Sequence, residues 1–283
     1  MSYYFTNIIG TFVYDDKFNL VKNKKSKDTQ LVPEKKLSKI LQSFKDEQFY
    51  EQFYQKNLQL TKQKLRESVS NDQLIIQASA NLNELDRIIN ILVKRLREWY
   101  SLYYPELDHK TPSHERFVDS VLSGKKKDKS SMGADLDEIH LTEINTLAKE
   151  IQSMSTLRKT HEDYLQKVMS GYCPNILSLA GTTIGAKLIE LAKSLKRLAL
   201  LPSSTVQLLG AEKALFRHIK TGSRSPKYGV IFSHQLIQKA PRNLRGKAAR
   251  MLADKLSLCA RLDFFKGEMK AKEYKKELEE KLK

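Results

Sequence analysis

The feature that most constrains this chain is a run of apolar residues spaced alternately by three and four positions. The run comprises Ile75, Ala78, Leu82, Leu85, Ile89, Leu92, Leu96, Trp99 and Tyr103. This spacing is the seam of a coiled-coil helix, which at 1.5 Å per residue would extend roughly 43 Å. We therefore expect one long helical arm that stops at Pro105.

A second arm continues the same rhythm at Ile144, Leu147, Ile151 and Met154. Residues 123–135 between the arms are polar and rich in lysine, and are expected to form a mobile loop. Two helices joined in this way should form an antiparallel hairpin over residues 65–170. Such arms usually hold domains apart or dimerise. We assign dimerisation to these seam residues: Ile75, Leu82, Leu85, Ile89, Leu92, Leu96 and Trp99.

Residues 1–64 read as a small α/β domain. Tyr3–Ile9, Thr11–Tyr14 and Phe18–Val21 have strand composition, and Pro33 is expected to open a helix that runs to Phe44. The aromatic residues that follow are expected to pack within this domain rather than to dock a partner. They are Phe49, Tyr50, Phe53 and Tyr54.

From residue 171 the pattern changes to short amphipathic helices separated by turns. We expect one helix after Pro174, and another capped by Ser203 or Ser204 that ends at Gly222. This all-helical domain should occupy residues 171–268, and residues 269–283 should be a charged helix or tail. The predicted fold class is mainly α, with a small N-terminal α/β domain, a long antiparallel coiled-coil hairpin and an all-helical C-terminal domain.

The net charge of +17 is concentrated in the C-terminal part of the chain. Residues 171–283 carry 23 basic and 9 acidic side chains, a net charge of +14. A field of this kind attracts polyanions, either nucleic acid or an anionic membrane. Lys213, Arg217 and Lys220 share one helix face, and two further basic clusters follow within about forty residues, at 222–229 and 241–250. Three clusters so close together favour RNA binding.

Motifs for catalysis, cofactors and metals are missing from the sequence. The segment 181–188, GTTIGAKL, has the wrong glycine spacing for a phosphate-binding loop, and we interpret its glycines as close helix packing. Cys173 and Cys259 form no CxxC pair, so neither a disulfide framework nor structural zinc is expected, and a reducing, intracellular setting fits. No run reaches transmembrane length, and the N-terminus does not resemble a signal peptide. We predict no catalytic residue, cofactor, metal or membrane association.

The segment LPSSTVQLLGAEKALFRHIKTGSRSPKYGVIF at 201–232 resembles the signature of the Nop-domain family. The resemblance continues through residue 268, and the helix ending in LREWYSLYYPEL at 96–107 resembles the family's coiled coil. The match is most specific over 172–268, and it resembles most the archaeal scaffolds of box C/D ribonucleoproteins.

The resemblance implies a division of labour along the chain. The N-terminal domain would hold fibrillarin, a 2′-O-methyltransferase, and the coiled coil would pair with a second copy. The C-terminal domain would dock on a guide RNA kink-turn that a small ribosomal-type protein has already bound. The particle would lie in the cytoplasm of an archaeon, or in the nucleolus of a eukaryote.

The resemblance also implies which residues contact RNA and its bound protein. The contact helix would be Gly210–Arg217, and Ser233 departs from the family pattern of glutamine or histidine. The full predicted set is Glu212, Lys213, Arg217, Lys220, Arg224, Lys227, Ser233, His234, Arg242, Arg245, Lys247 and Arg250.

Three other functions remain open at this point. A spliceosomal type of Nop-domain protein would bind a small nuclear RNA kink-turn without recruiting a methyltransferase. An RNA-modifying enzyme acting alone would bind a methyl donor. A general basic chromatin protein would bind duplex DNA without any protein partner.

Overall fold

The computed structural model describes residues 2–15, 17, 19–22, 29–124 and 130–282. The chain forms two compact units, 1–70 and 71–283. The boundary predicted after residue 64 falls inside a helix, and the division lies instead at Ser70 and Asn71. No helix among the described residues is long and apolar enough to cross a membrane.

The first unit contains a four-stranded sheet, ordered β3-β2-β1-β4. Its strands are β1 (Ser2–Thr6), β2 (Thr11–Tyr14), β3 (Leu20–Lys22) and β4 (Thr29–Leu31). β1 pairs antiparallel with β2 and parallel with β4, a strand that the sequence pattern did not predict. β1 ends three residues earlier than expected, because Asn7 Oδ1 accepts the amides of Ile9 and Gly10 and turns the chain. Phe18 lies outside the described residues.

Two helices complete this unit, α1 (Glu34–Ser43) and α2 (Glu47–Ser68). Phe49 and Phe53 pack on Phe44, as expected for core aromatics. Tyr50 and Tyr54 do not, since they are 73% and 53% exposed. The expectation that all four aromatics pack internally is therefore wrong for the two tyrosines.

The second unit opens with the helical hairpin. Its arms are α3 (Asn71–Tyr100) and α6 (Glu138–Tyr172). They run antiparallel: the Asp86 carboxylate pairs with Arg158 at 2.5 Å, and Asn81, earlier in α3, pairs with His161, later in α6, at 2.9 Å. The connection contains two short helices that were not predicted, α4 (Pro105–Lys110) and α5 (His114–Leu122). Pro105 begins α4, five residues after α3 has ended. Residues 125–129 of the predicted loop lie outside the described residues.

The predicted seam is buried inside a single chain. Ile75, Leu82, Leu85 and Leu96 are at most 8% exposed, and Ile89, Leu92 and Trp99 pack against the buried cluster that α3, α5 and α6 share. The heptad pattern thus correctly gave the buried face of α3. The four buried residues are covered within the protomer and offer no surface to a second copy. For Ile89, Leu92 and Trp99, which are only partly buried, the role in dimerisation stays a prediction.

The remaining helices pack around the base of the hairpin. They are α7 (Pro174–Ala180), α8 (Thr182–Ala192), α9 (Leu195–Leu200), α10 (Ser203–Leu208), α11 (Glu212–Thr221), α12 (Gln235–Lys239), α13 (Arg245–Phe264) and α14 (Ala271–Lys281), with a short 3₁₀ helix at Val230–Ser233. Ile75, Leu82, Leu165 and Met169 of the hairpin lie in the same core as these helices. The base of the coiled coil is therefore continuous with the C-terminal domain.

A buried polar cluster joins α7, α13 and α14. The Asp263 carboxylate accepts the backbone amides of Asn175 and Ile176 at 3.0 and 2.9 Å, together with the Asn175 side-chain amide at 2.9 Å. Asn175 Oδ1 in turn accepts the amides of Lys270 and Ala271. These bonds satisfy free donors at the start of α7 and of α14. Burial raises the pKa of Asp263 in spite of them. The C-terminal residues are thus a docked helix, with Leu278 fully buried.

Candidate RNA interface

The central sequence-predicted helix is divided in two. A single helix was expected from residue 203 to residue 220, but α10 ends at Leu208 and α11 begins at Glu212. Gly210 lies at the break with φ +86°, and a Cβ there would stand 2.5 Å from the Val230 side chain. Neither Ser203 nor Ser204 caps α10, because the cap position is Pro202. The predicted end at Gly222 is confirmed, with a left-handed φ of 68°.

Residues 210–229 leave the body of the unit and return to it, and we call this segment the finger. Its base is closed by two backbone hydrogen bonds of 2.8 Å, from Gly229 N to Gln207 O and from Val230 N to Leu209 O. A Cβ on Gly229 would lie 1.9 Å from Leu209 O, so only glycine allows this closure. Because α11 lies within this excursion, none of its residues is buried.

The finger exposes cations and apolar side chains together. Lys213, Arg217 and Lys220 are exposed, and Phe216 and Ile219 between them are each 71% exposed. The three cations were predicted from the sequence. One continuous helix would also place Ile219 on the opposite face, together with Leu208, Ala211 and Leu215. The break at Gly210 separates those residues into two elements. The exposure of Phe216 was not predicted, although its position three residues before Ile219 places the two side chains next to each other on a helix.

Glu212 has a local role in the finger. Its Oε1 atom accepts the Gly210 amide at 2.7 Å, next to the start of α11. The same carboxylate was expected to receive a donor from RNA or partner, and one of its oxygens is thus already engaged. At the other end of α11, His218 Nδ1 contacts the Ser223 carbonyl and fixes the turn after the helix.

A second set of predicted cations lies beside the base of the finger. The Lys227 carbonyl accepts the Gln207 side-chain amide at 2.6 Å, and the Lys227 stem passes 3.7 Å from the Cβ position of Gly246 in α13. The contact brings the Arg224–Lys227 loop next to the basic start of α13. Arg242, Lys247 and Arg250 are exposed there. Within the part of the chain that the structure describes, no carboxylate forms an ion pair with the exposed cations: Lys213, Arg217, Lys220, Arg224, Lys227, Arg242, Lys247 and Arg250.

Arg245 and His234 act within the fold. Arg245 Nε donates to the Ala240 carbonyl at 3.1 Å, and its guanidinium lies 5.9 Å from the Phe232 ring centre. His234 Nδ1 accepts the Leu236 amide at 3.2 Å as the cap of α12, and its Nε2–H donates to Leu179 O at 2.9 Å. Burial lowers the pKa of His234. With both ring nitrogens engaged, His234 offers none to RNA, which corrects its inclusion in the contact set.

Ser233 lies on the surface beside His234. Its hydroxyl donates to Val230 O at 2.9 Å. It lines a surface cleft of about 540 Å³ between the start of α8 and α12, together with Thr182, Thr183 and Lys239. The position is exposed, as a contact residue must be, but its side chain is short.

The glycine-rich segment 181–188 is a helix junction. A Cβ on Gly185 would lie 2.9 Å from both the Ile176 and Met169 side chains, so its packing interpretation is confirmed. Gly181 instead supplies a φ of +79° between α7 and α8. The thiols of Cys173 and Cys259 are fully buried, and burial raises the pKa of each to about 12. Both cysteines are therefore core residues, consistent with packing rather than nucleophilic chemistry.

Comparison with known proteins gives one family. A family model described as Nop, snoRNA binding domain, fibrillarin, matches residues 81–283. An uncharacterized NOP5 family protein of Methanocaldococcus jannaschii is 41% identical over 243 residues, covering 76% of this chain and 59% of that protein. Nucleolar protein 56 of Schizosaccharomyces pombe is 38% identical, covering 69% of this chain and 45% of the relative. Nucleolar protein 56 of Homo sapiens is 37% identical, covering 69% of this chain and 37% of the relative.

This chain spans between 37% and 59% of the length of these relatives. Among solved structures, the crystal structure of a fibrillarin/Nop5p complex contains a chain that matches 99% of this one, with a TM-score of 0.50 and 24% identity. That likeness supports the fold alone. Because the family model covers more than half of the residues, the chain belongs to the Nop domain family.

Proposed function

We propose that this chain is a non-catalytic scaffold of a box C/D guide ribonucleoprotein. Its helical unit docks on a guide RNA kink-turn together with the ribosomal-type protein bound there, and its N-terminal unit holds fibrillarin. The methyltransferase is thereby positioned for RNA-guided 2′-O-methylation. The observation that carries this proposal is the finger, whose helix has no buried residue and exposes apolar and basic side chains side by side.

The chemistry of the finger suits a surface made of both RNA and protein. Lys213, Arg217 and Lys220 lack carboxylate partners among the described residues, so they are available to phosphates. Phosphate contacts position a protein without reading sequence. Phe216 and Ile219 gain from burial against an apolar surface, which a phosphate backbone does not supply. A kink-turn with a bound protein offers both kinds of surface.

Self-association through the hairpin remains part of the proposal, and exposed apolar residues outside the seam can contribute to it. Ile88 and Ile91 on α3 and Leu157 on α6 are 43%, 60% and 45% exposed. They supply apolar area that the buried seam cannot.

The names of the eukaryotic relatives place those proteins in the nucleolus. We propose the equivalent location for a eukaryotic chain and the cytoplasm for an archaeal one.

The test is reconstitution with guide RNA, the kink-turn protein and fibrillarin, followed by a methylation assay. The complete mixture should methylate the guided nucleotide, and leaving out this chain should abolish the activity. The isolated chain should bind no methyl donor. Methylation at the full rate without the chain would contradict the scaffold role.

A truncation separates the two units. Deleting residues 1–70 removes the first unit and leaves both hydrophobic clusters of the second intact. The truncated chain should still assemble on the RNA–protein complex but should lose fibrillarin and methylation. An unchanged thermal transition of the second unit serves as the control. Retained methylation would contradict the proposal that the N-terminal unit recruits fibrillarin.

A further inference from the structure

A second basic surface lies on α9, outside the predicted contact residues. Lys193, Lys196 and Arg197 are exposed at neighbouring positions, and residues 191–211 contain no acidic side chain. Arg261 of α13 joins them, because its Nε donates to the Ala199 carbonyl at 3.2 Å. Within the described part of the chain none of these four cations forms an ion pair.

The backbone under this surface is fixed. Leu195, Leu198 and Ala199 are at most 3% exposed and anchor α9 in the core. Ser194 caps the helix by accepting the Arg197 amide at 3.1 Å. Lys193 holds a left-handed conformation, with φ 72°, at the end of α8. The cations therefore project from a rigid base, which reduces the entropy lost when they bind a partner.

The carboxylates of Asp72 and Glu190, close to α9 in space or in sequence, already have other partners. Asp72 of α3 accepts the Leu195 amide at 2.9 Å and also contacts the Tyr172 hydroxyl. Glu190 pairs with Lys187 and accepts the Ser79 hydroxyl. Neither acid is used to neutralise the α9 cations. In contrast, Lys255 of α13 and Lys281 of α14 both pair with Glu277.

The α9 surface lies away from the finger. The base of the finger meets the start of α13, where the Lys227 stem approaches Gly246, next to Arg245. Arg261 lies sixteen positions after Arg245, which corresponds to roughly 24 Å along the axis of α13. We propose that Lys193, Lys196, Arg197 and Arg261 form a second binding surface, for the phosphate backbone of duplex RNA. It acts independently of the finger and needs no kink-turn protein.

Duplex RNA fits this surface better than single-stranded RNA. Proteins that hold single strands combine cations with aromatic side chains on which bases stack. None of the described residues on the exposed face of α9 is aromatic. Leu200 lies beside Lys196 and Arg197 on this face and is 70% exposed, but a leucine offers no ring on which a base could stack. The cations can therefore contact phosphates, and recognition of an RNA duplex depends mainly on its shape and backbone.

The test compares two triple variants of the full chain. Lys193→Gln, Lys196→Gln and Arg197→Gln remove three charges from the proposed surface. Lys94→Gln, Lys149→Gln and Lys167→Gln remove three exposed charges from the hairpin and serve as the matched control. The probe is a fully paired 24-base-pair RNA duplex, and its binding is measured by fluorescence anisotropy at several salt concentrations. Circular dichroism melts check that both variants are folded.

We expect the slope of log affinity against log salt to become shallower by about 2 to 3 for the α9 variant, since about one unit is lost with each phosphate contact. The control should change the slope by less than about 1. The α9 effect should be the same in a background that also carries Lys213→Ala and Arg217→Ala. Equal slopes for the two triple variants would overturn the proposal. Competition by polyglutamate as effective as by duplex RNA of equal charge would assign the surface to an acidic protein and also overturn it.

Discussion

Replacing Phe216 and Ile219 together by alanine tests whether the finger docks on protein as well as on RNA. Both side chains are 71% exposed and none of the α11 residues is buried, so the fold should hardly respond. Surface substitutions of this kind change the free energy of unfolding by less than about 0.5 kcal/mol. Full burial of a phenylalanine or isoleucine contributes about 1.5 to 3 kcal/mol. Since most of each side chain remains to be covered, docking should gain about 1 to 2 kcal/mol per residue.

The double variant should therefore bind the RNA–protein complex about 2 to 4 kcal/mol more weakly, a loss of about 30-fold to about 700-fold. The assay is a gel-shift titration against kink-turn RNA carrying its ribosomal-type protein. Phe265→Ala is the matched control, because Phe265 is also 71% exposed but lies after α13. Its affinity should change by less than about twofold. Equal losses for the control and the double variant, or no loss for either, would refute the docking role of the finger's apolar pair.

Three further predictions concern charge and stability. Replacing Lys213 and Arg217 by alanine should weaken binding to the same complex by about 2 to 5 kcal/mol in the gel-shift titration, since each would lose a charge-assisted contact. A loss of only a few tenths of a kcal/mol would show that these side chains are solvated and contact no partner. Asp263→Ala should lower the free energy of unfolding by about 3 to 5 kcal/mol in urea, because three buried donors lose their acceptor. Asp263→Asn should cost less, since one oxygen can still accept both Asn175 donors, and equal costs would contradict this role. Hydrogen bonds from Lys255 and Lys281 lower the pKa of Glu277 from 4.5 to about 2. Its stabilisation is present above pH 4.5 and is lost as the pH falls towards 2, so thermal melts of the wild type and Glu277→Gln should converge over that range; a constant difference would show that the charge is irrelevant.

The hairpin could be predicted because its signal is local and repeated. Nine seam positions from Ile75 to Tyr103 give the buried face of α3 directly. What the seam packs against is a tertiary property. The same heptad pattern serves a partner helix in another chain or a returning helix in the same chain, and α6 takes that place here. For this reason the sequence did not predict that Ile75, Leu82, Leu85 and Leu96 are buried within a single chain.

The finger could be predicted only in part. The basic residues of α11 follow from the sequence, but the break at Gly210 depends on contacts with Val230, twenty positions away. Helical periodicity read across this break merged two helices and hid the exposure of Phe216 and Ile219. The contacts of His234 were likewise beyond sequence reasoning, because its Leu179 partner is 55 positions away.

The most direct test of the proposed function is the affinity of the full chain for kink-turn RNA, measured by gel shift with and without the bound ribosomal-type protein, at two salt concentrations. The basic helical unit alone should give weak binding to naked RNA that falls steeply with salt. Docking on RNA and protein together predicts tight binding to the RNA–protein complex. The dependence on salt should be smaller, because Phe216 and Ile219 contribute apolar contacts. Equal affinity for naked RNA and for the complex would contradict the proposal and make the helical unit a general polyanion binder.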